Sequence, residues 1–427
     1  MKKVIGLLLL IPIFVCAQGG GIYFQQGLSW QQVKDKAKAE NKYIFLDCYA
    51  SWCGPCKGMD KIIYPADTVG KFINPRFVSA KLQFDTTAGD SESTRAWYGI
   101  AHQMMLNHRI AAFPTFLFFS PEGKLVHRGL GYQDIAQFLA MAKDATDPKM
   151  QYCELLDKYR RGAKDYPAMP YLAGMARKLK DEKLANEVAM DYAHGYLDKL
   201  PDSLFCTKET LGFFGNYKSG ISRTDRVFRL YANQPRIIDS IMKKPGYSTS
   251  IISFVAYNQE AEPRLTMAEK TKQDPDWNGM ARALRDNFGP AYTEVNVVFA
   301  KINWYWGLKD WPNYTKNLIA KLELDSIEEK ASRGPGGIAY LNDNAWRIFQ
   351  YSDNKQELKL ALKWSELANR LSQKPDGLLL DTQANLLYKL GRKQDALALE
   401  AKALELAPGN QDIQEALKKM QEGRRTW

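Results

Sequence analysis

Two cysteines stand two residues apart in the stretch Cys53-Gly54-Pro55-Cys56. Such a pair can ligate a metal, staple a fold or exchange electrons. A structural zinc site takes four ligands, often as two such pairs. This sequence has one pair, and its four histidines, His102, His108, His127 and His194, form no ligand motif. No metal and no other cofactor is therefore expected. Gly-Pro between the cysteines suits redox cycling better than an inert staple. Just before the pair lies an apolar run, Tyr43–Tyr49, and after it a helix is expected from about Cys53. A cysteine that follows a buried strand and opens a helix sits at the positive end of the helix dipole. That position favours thiolate and lowers its pKa from about 8.5 toward 7 or less. Cys56, three residues on, shares the helical face and can close a disulfide. Pro55 fits the first turn, where a missing N–H costs nothing. Cys53 is thus the expected nucleophile and Cys56 the thiol that resolves the mixed disulfide.

The elements that must hold this pair read as an α/β unit over 22–145. Ser29 and Gln32 make a capping-box pattern that opens a helix to about Glu40. Tyr43–Tyr49 is almost continuously apolar, as in a strand buried on both faces. A second strand is expected over 77–84, and a helix over 94–107. A strand over 115–119, a turn at 120–123 and a partner strand over 125–128 follow. A helix over 133–143 closes the unit. From about 147 strand signals nearly vanish, and amphipathic helices broken by Pro and Gly take over, among them 149–161, 170–180, 183–200 and 237–243.

The sequence around the pair resembles the thioredoxin family over about residues 25–145. The marks are Trp52-Cys53-Gly54-Pro55-Cys56-Lys57, the acidic Asp47 six positions before the first cysteine, and Phe113-Pro114-Thr115 further on. The wider pattern looks more like exported thiol:disulfide interchange domains than a cytosolic thioredoxin. One departure is the helical insert over 91–107, larger than in a minimal thioredoxin. The resemblance implies that Asp47 is a buried carboxylate that accepts the proton of Cys56. It also implies a cis proline at Pro114, with Trp52, Phe113, Pro114 and Thr115 contacting an extended partner chain. Cys48 lies on the strand and reads as a buried apolar residue. Cys153 and Cys206 could pair or stay buried as thiols.

Residues 376–408 hold a helix, a turn at Leu390-Gly391-Arg392, a second helix with Ala396 and Ala403, and a closing Pro408. This spacing resembles a tetratricopeptide repeat of 34 residues. Looser copies are expected over 344–375 and 303–324, with a loop at 333–337. The fold class expected is an α/β thioredoxin fold (22–145) followed by an all-α domain (147–330) and tetratricopeptide-like repeats (339–420). Stacked helix pairs leave a concave face that often binds peptides.

The chain has 427 residues, 45% hydrophobic and 25% charged, an ordinary globular balance. Its net charge of +11 is spread along the chain rather than clustered with aromatics, so no nucleic-acid partner is expected. Lys2 and Lys3 precede an apolar run over 4–15 and then Cys16-Ala17-Gln18, the pattern of a signal peptide (1–17) cleaved before Gln18. A lipidated Cys16 is the rival reading, disfavoured because Val15 stands where Gly, Ala or Ser is usual. Either way an exported, periplasmic protein is expected. The function expected is a protein-disulfide reductase acting on disulfide-containing protein substrates. It would be recharged by a membrane reductant donor, with the repeats engaging a peptide or protein partner. The alternative is a scaffold in which the redox domain is an accessory docking module.

Overall fold

The computed structural model describes residues 20–427. The expected leader, with Cys16, lies outside these residues. The chain divides into two compact units, one ending at Phe205 and the other spanning Cys206–Trp427.

The first unit is built on a four-stranded sheet: β1 (Tyr43–Tyr49), β2 (Phe77–Gln83), β3 (Thr115–Phe119) and β4 (Leu125–Leu130). The order is β2-β1-β3-β4, with β1 parallel to β2 and antiparallel to β3, and β4 antiparallel to β3. Side chains alternate across a strand, so β1 sends Ile44, Leu46 and Cys48 to one face and Phe45 and Asp47 to the other. On the first face Ile44, Leu46 and Cys48 pack with Val33 and Ala37 of α1 (Trp30–Glu40). The second face is aromatic: Phe45, Phe116 and Phe118 meet Tyr64 and Phe138. Both faces are covered, which explains why β1, Asp47 apart, reads as an apolar run rather than an alternating one.

The helices follow their caps. Ser29 accepts from the Gln32 N–H and Gln32 returns a bond to the Ser29 N–H, so the expected capping box is present. The helix that opens at the cysteines is α2 (Gly54–Gly58), continued by a π-helical turn, Met59–Ile63, and then by α3 (Asp67–Ile73). The expected helical insert is two helices, α4 (Glu92–Arg95) and α5 (Tyr98–His108), separated at Ala96 and Trp97. A second capping box, Asp134 with Gln137, opens α6 (Ile135–Thr146).

The first unit continues past the expected boundary at 145. Helix α7 (Tyr152–Arg160) lies on β4. The Tyr152 N–H donates to His127 Nδ1 at 3.1 Å, and Gln151 Nε2 donates to the Ala145 carbonyl at 2.9 Å. Tyr152, Leu155 and Tyr159 are buried there. Helices α8 (Met169–Lys178) and α9 (Glu182–Gly195) pair with each other beyond it.

The second unit is helical throughout its described residues. Near its end, consecutive helices pack as pairs: Pro335–Tyr351 with Lys355–Leu371, and Gly377–Lys389 with Lys393–Leu406, before a last helix, Gln411–Gln421. Trp364, Tyr231 and Tyr314 are its largest fully buried side chains. The stretch 333–337, expected as a loop, instead starts a helix at Pro335, because proline is preset for the first helical position.

Candidate active site

Cys53 is the N-cap of α2, and its Sγ accepts the N–H of Cys56 at 3.1 Å. The cysteines are disulfide-bonded, with Cα atoms 5.3 Å apart. Pro55 occupies the first turn, as expected. The approach to the pair is pinned: the Cys53 N–H donates to the Ala50 carbonyl at 3.0 Å, and the Ser51 N–H to Asp85 at 2.8 Å. In this oxidised state Cys53 and Cys56 are equally buried, each 3% exposed. What separates them is therefore the cap geometry: the Cys53 sulfur sits where helix N–H groups converge, and the Cys56 sulfur does not.

Asp47 is 2% exposed and belongs to the same sheet face as Met59 and Tyr64 of the helical run that Cys53 opens. Burial pushes its carboxyl up to about 7. The cation opposite it pulls the other way. Lys81 is its register partner on β2, with Nζ 3.7 Å from Asp47 Oδ2. Lys81 also pairs with Asp60 of the π-helical turn, and lies over the ring of Tyr49 at 4.6 Å and of Tyr64 at 5.6 Å. Desolvation outweighs this single, shared cation, so Asp47 can hold or release a proton near neutrality.

The rim is aromatic. Trp52 is 70% exposed and meets Phe113 edge-on with centroids 6.1 Å apart; Phe113 leans in turn on Phe84. The Phe113–Pro114 peptide is cis, as the resemblance implied. The Pro114 carbonyl accepts the Gly131 N–H at 2.8 Å. Thr115 is buried, and its hydroxyl donates to the Ala112 carbonyl at 2.7 Å, so it offers a partner no side-chain surface. The structure thus gathers Ala50, Cys53, Cys56 and Phe113 in one cluster, and places Asp47 on the sheet face beneath the helix.

Several residues here escaped the reading of the sequence. Lys81 and Asp60 flank Asp47; the only signal was a lone lysine inside the apolar run of β2. Tyr132, 45% exposed, lies against Gly58, where an added Cβ would stand 3.1 Å from its ring. Asp90 gathers the insert: it accepts from Gln83 at 3.0 Å, from the Thr87 N–H at 2.8 Å and from Tyr98. Cys48 is fully buried, as read, and Cys153 is a thiol whose pKa burial pushes up to about 12.

Residues 30–146 match the family described as thioredoxin-like domain, and the fold and the Cys53–Cys56 disulfide make this part of the chain a thioredoxin-like domain of the thiol:disulfide oxidoreductase type. Among curated relatives, it is similar to the thiol:disulfide interchange protein DsbD of Yersinia pestis, at 31% identity over 105 residues, 24% of this chain and 16% of that protein. It is likewise similar to thioredoxin-like protein 1 of Schizosaccharomyces pombe, at 34% identity over 77 residues, 18% of this chain and 21% of that protein. The chain therefore spans about a fifth or less of the length of these relatives. Among solved structures, a putative disulphide-isomerase from Bacteroides thetaiotaomicron aligns at 29% identity over 31% of this chain and 98% of its own, with a TM-score of 0.25.

Proposed function

We propose that this chain is an exported protein-disulfide reductase whose second unit recruits its partner through tetratricopeptide-like repeats. The observation that carries the reading is Cys53 at the cap of α2 with its sulfur accepting a helix N–H. In the reduced enzyme the Cys53 thiolate attacks one sulfur of a partner's disulfide. An S–S bond forms between them, and the partner's other sulfur leaves as thiolate. Cys56 then gives its proton to Asp47 and attacks Cys53 Sγ. The Cys53–Cys56 disulfide closes and the partner leaves as a dithiol, two electrons richer. Trp52, Phe113 and the backbone at Pro114 hold the partner's chain during the exchange. Gly-Pro between the cysteines supports the reducing direction, as in thioredoxins near about −270 mV rather than oxidants near about −120 mV. A reductant supplied through the membrane returns the enzyme to the dithiol. The leader pattern and the similarity to DsbD support this placement.

The test is trapping. A Cys56→Ser variant should accumulate mixed disulfides through Cys53, and a Cys53→Ser variant should accumulate none. Equal accumulation through either cysteine would refute the assignment. If the full chain and the wild-type first unit reduce insulin at the same slow rate as free dithiol, the scaffold reading takes its place.

A further inference from the structure

The helix that Cys53 opens has an outer side turned away from the sheet. Along α2 and the π-helical turn that continues it, Cys56, Met59 and Ile63 are buried, whereas Lys57, Lys61 and Ile62 are exposed. Residues three or four apart share a helix face. Gly58 and Ile62 therefore form one row, and Lys57 and Lys61 a second row beside it. Ile62 is 55% exposed. The loop after β4 widens the apolar row: Tyr132, 45% exposed, lies against Gly58, and the Gln133 N–H donates to Met59 Sδ at 3.5 Å.

The two lysines answer to no charge of their own chain. Asp60, which stands between them in sequence, is taken by Lys81. Asp134, beyond Tyr132, caps α6, its carboxylate accepting the Gln137 N–H at 2.9 Å. Among the described residues neither Lys57 nor Lys61 makes an ion pair. Like charges four residues apart weaken a helix, so this pair does not serve the fold.

The face is continuous with the reacting sulfur. A helix rises about 1.5 Å per residue, which sets Lys57 about 6 Å and Lys61 about 12 Å along the axis from Cys53. An extended chain covers about 3.3 Å per residue, so a chain whose sulfur meets Cys53 reaches the lysines with residues about two and four positions from its own cysteine. We propose that this face docks an acidic segment of the partner polypeptide, adjoining the disulfide to be exchanged. Carboxylates two to four residues from the partner's cysteine meet Lys57 and Lys61, and an apolar side chain between them covers Ile62 and Tyr132. The inference rests on the proposed exchange at Cys53 and names the class of partner it takes.

Single turnovers of the reduced full chain test it. The probes are three Gly/Ser peptides, each closed by one disulfide with a leucine three residues outside each cysteine, and hydroxyethyl disulfide, which is small and uncharged. The first peptide carries glutamates two and four residues outside each cysteine. The second carries lysines there, and the third has its glutamates moved about ten residues out. Acid quenching and thiol counting by mass give the rate at which the dithiol is oxidised as each disulfide becomes two thiols. The first peptide should react roughly three- to tenfold faster than the second, and its lead should shrink as salt rises. Lys57→Gln combined with Lys61→Gln should bring the ratio of the two near one; reading a ratio cancels any change in the reactivity of Cys53. Lys71→Gln, at an exposed lysine of α3, should leave the ratio as it was. Ile62→Ser should slow all three peptides severalfold relative to hydroxyethyl disulfide. The docking face would be overturned, with exchange at Cys53 left standing, by any of four results: equal rates for the first two peptides, a lead kept by the distant glutamates, a ratio that survives the double substitution or falls as far with Lys71→Gln, or no effect of Ile62→Ser. Oxidation of the dithiol by none of the probes would overturn the reductase reading and this inference with it.

Discussion

Asp47 titrates near neutrality because its burial costs the charged form more than Lys81 returns. Asp47→Asn should leave attack by Cys53 nearly unchanged and slow resolution by Cys56, which stopped-flow of the mixed disulfide would resolve. Slowing confined to the first step would contradict the proton-acceptor role. The same substitution carries a stability signature. The folded-state pKa, about 7, lies above the ordinary 3.8. Asp47 therefore weakens the folded state progressively as pH rises from about 4 through 7, by at most roughly 4 kcal/mol. Asp47→Asn should raise the melting temperature at pH 8 and hardly change it at pH 4. Brief iodoacetamide treatment of the reduced protein should label Cys53 well before Cys56, through the cap rather than through exposure; equal labelling would remove the nucleophile assignment. The dithiol, Asp47 and Pro114 were legible because their spacing along the chain is itself the signal. Lys81 and Asp60 were not, since only strand register and the π-helical turn bring them to Asp47.

At the scale of elements, the junction of β4 and α7 turns on His127. Burial, and then the charge of Lys178, press its pKa down to about 4, and its Nδ1 receives the Tyr152 N–H. A depressed histidine gives its full stabilisation above about 6.5 and loses it as pH falls through 4, at most roughly 3 kcal/mol. Protonation also turns the acceptor into a donor. Hydrogen exchange at the Tyr152 amide should therefore accelerate between pH 6 and 4, ahead of the amides of β1. His127→Asn keeps an acceptor without the titration and should flatten that response; an unchanged profile would dismiss His127 as its source. Sequence patterns located most helices, because caps such as Ser29 and Gln32 act locally. The break of the insert at Ala96 and Trp97 and the π-helical turn after Gly58 were invisible, since both answer to packing and not to local preference. The docking of α7 was missed for the same reason: a histidine buried in a hairpin strand looks like any other until its partner is seen.

For the whole molecule, the compact units, not the end of strand signal, decide where the chain can be cut. A fragment ending at Phe205 should fold and reduce insulin. One ending at Thr146 would uncover His127 and lose the burial of Tyr152, Leu155 and Tyr159, each worth about 1.5–3 kcal/mol. It should melt well below the longer fragment, and equal melting temperatures would show that α7 is dispensable. The helical character of the second half was legible from periodicity.

Cys48 has a bearing on biogenesis. In the finished protein it is fully buried, and burial raises its thiol pKa far above the ordinary value, which keeps it out of exchange. Before β1 forms, nothing protects it. It then lies five residues from Cys53, and closing so short a loop is little harder than closing the native one. One neighbour that shields it, β3, pairs Thr115 with Cys48 and emerges from the ribosome long after both cysteines. If the chain is exported as proposed, a newly made copy in an oxidising compartment is thus at risk of joining the wrong sulfurs, and the proposed disulfide-exchanging enzyme would itself be a client for disulfide repair.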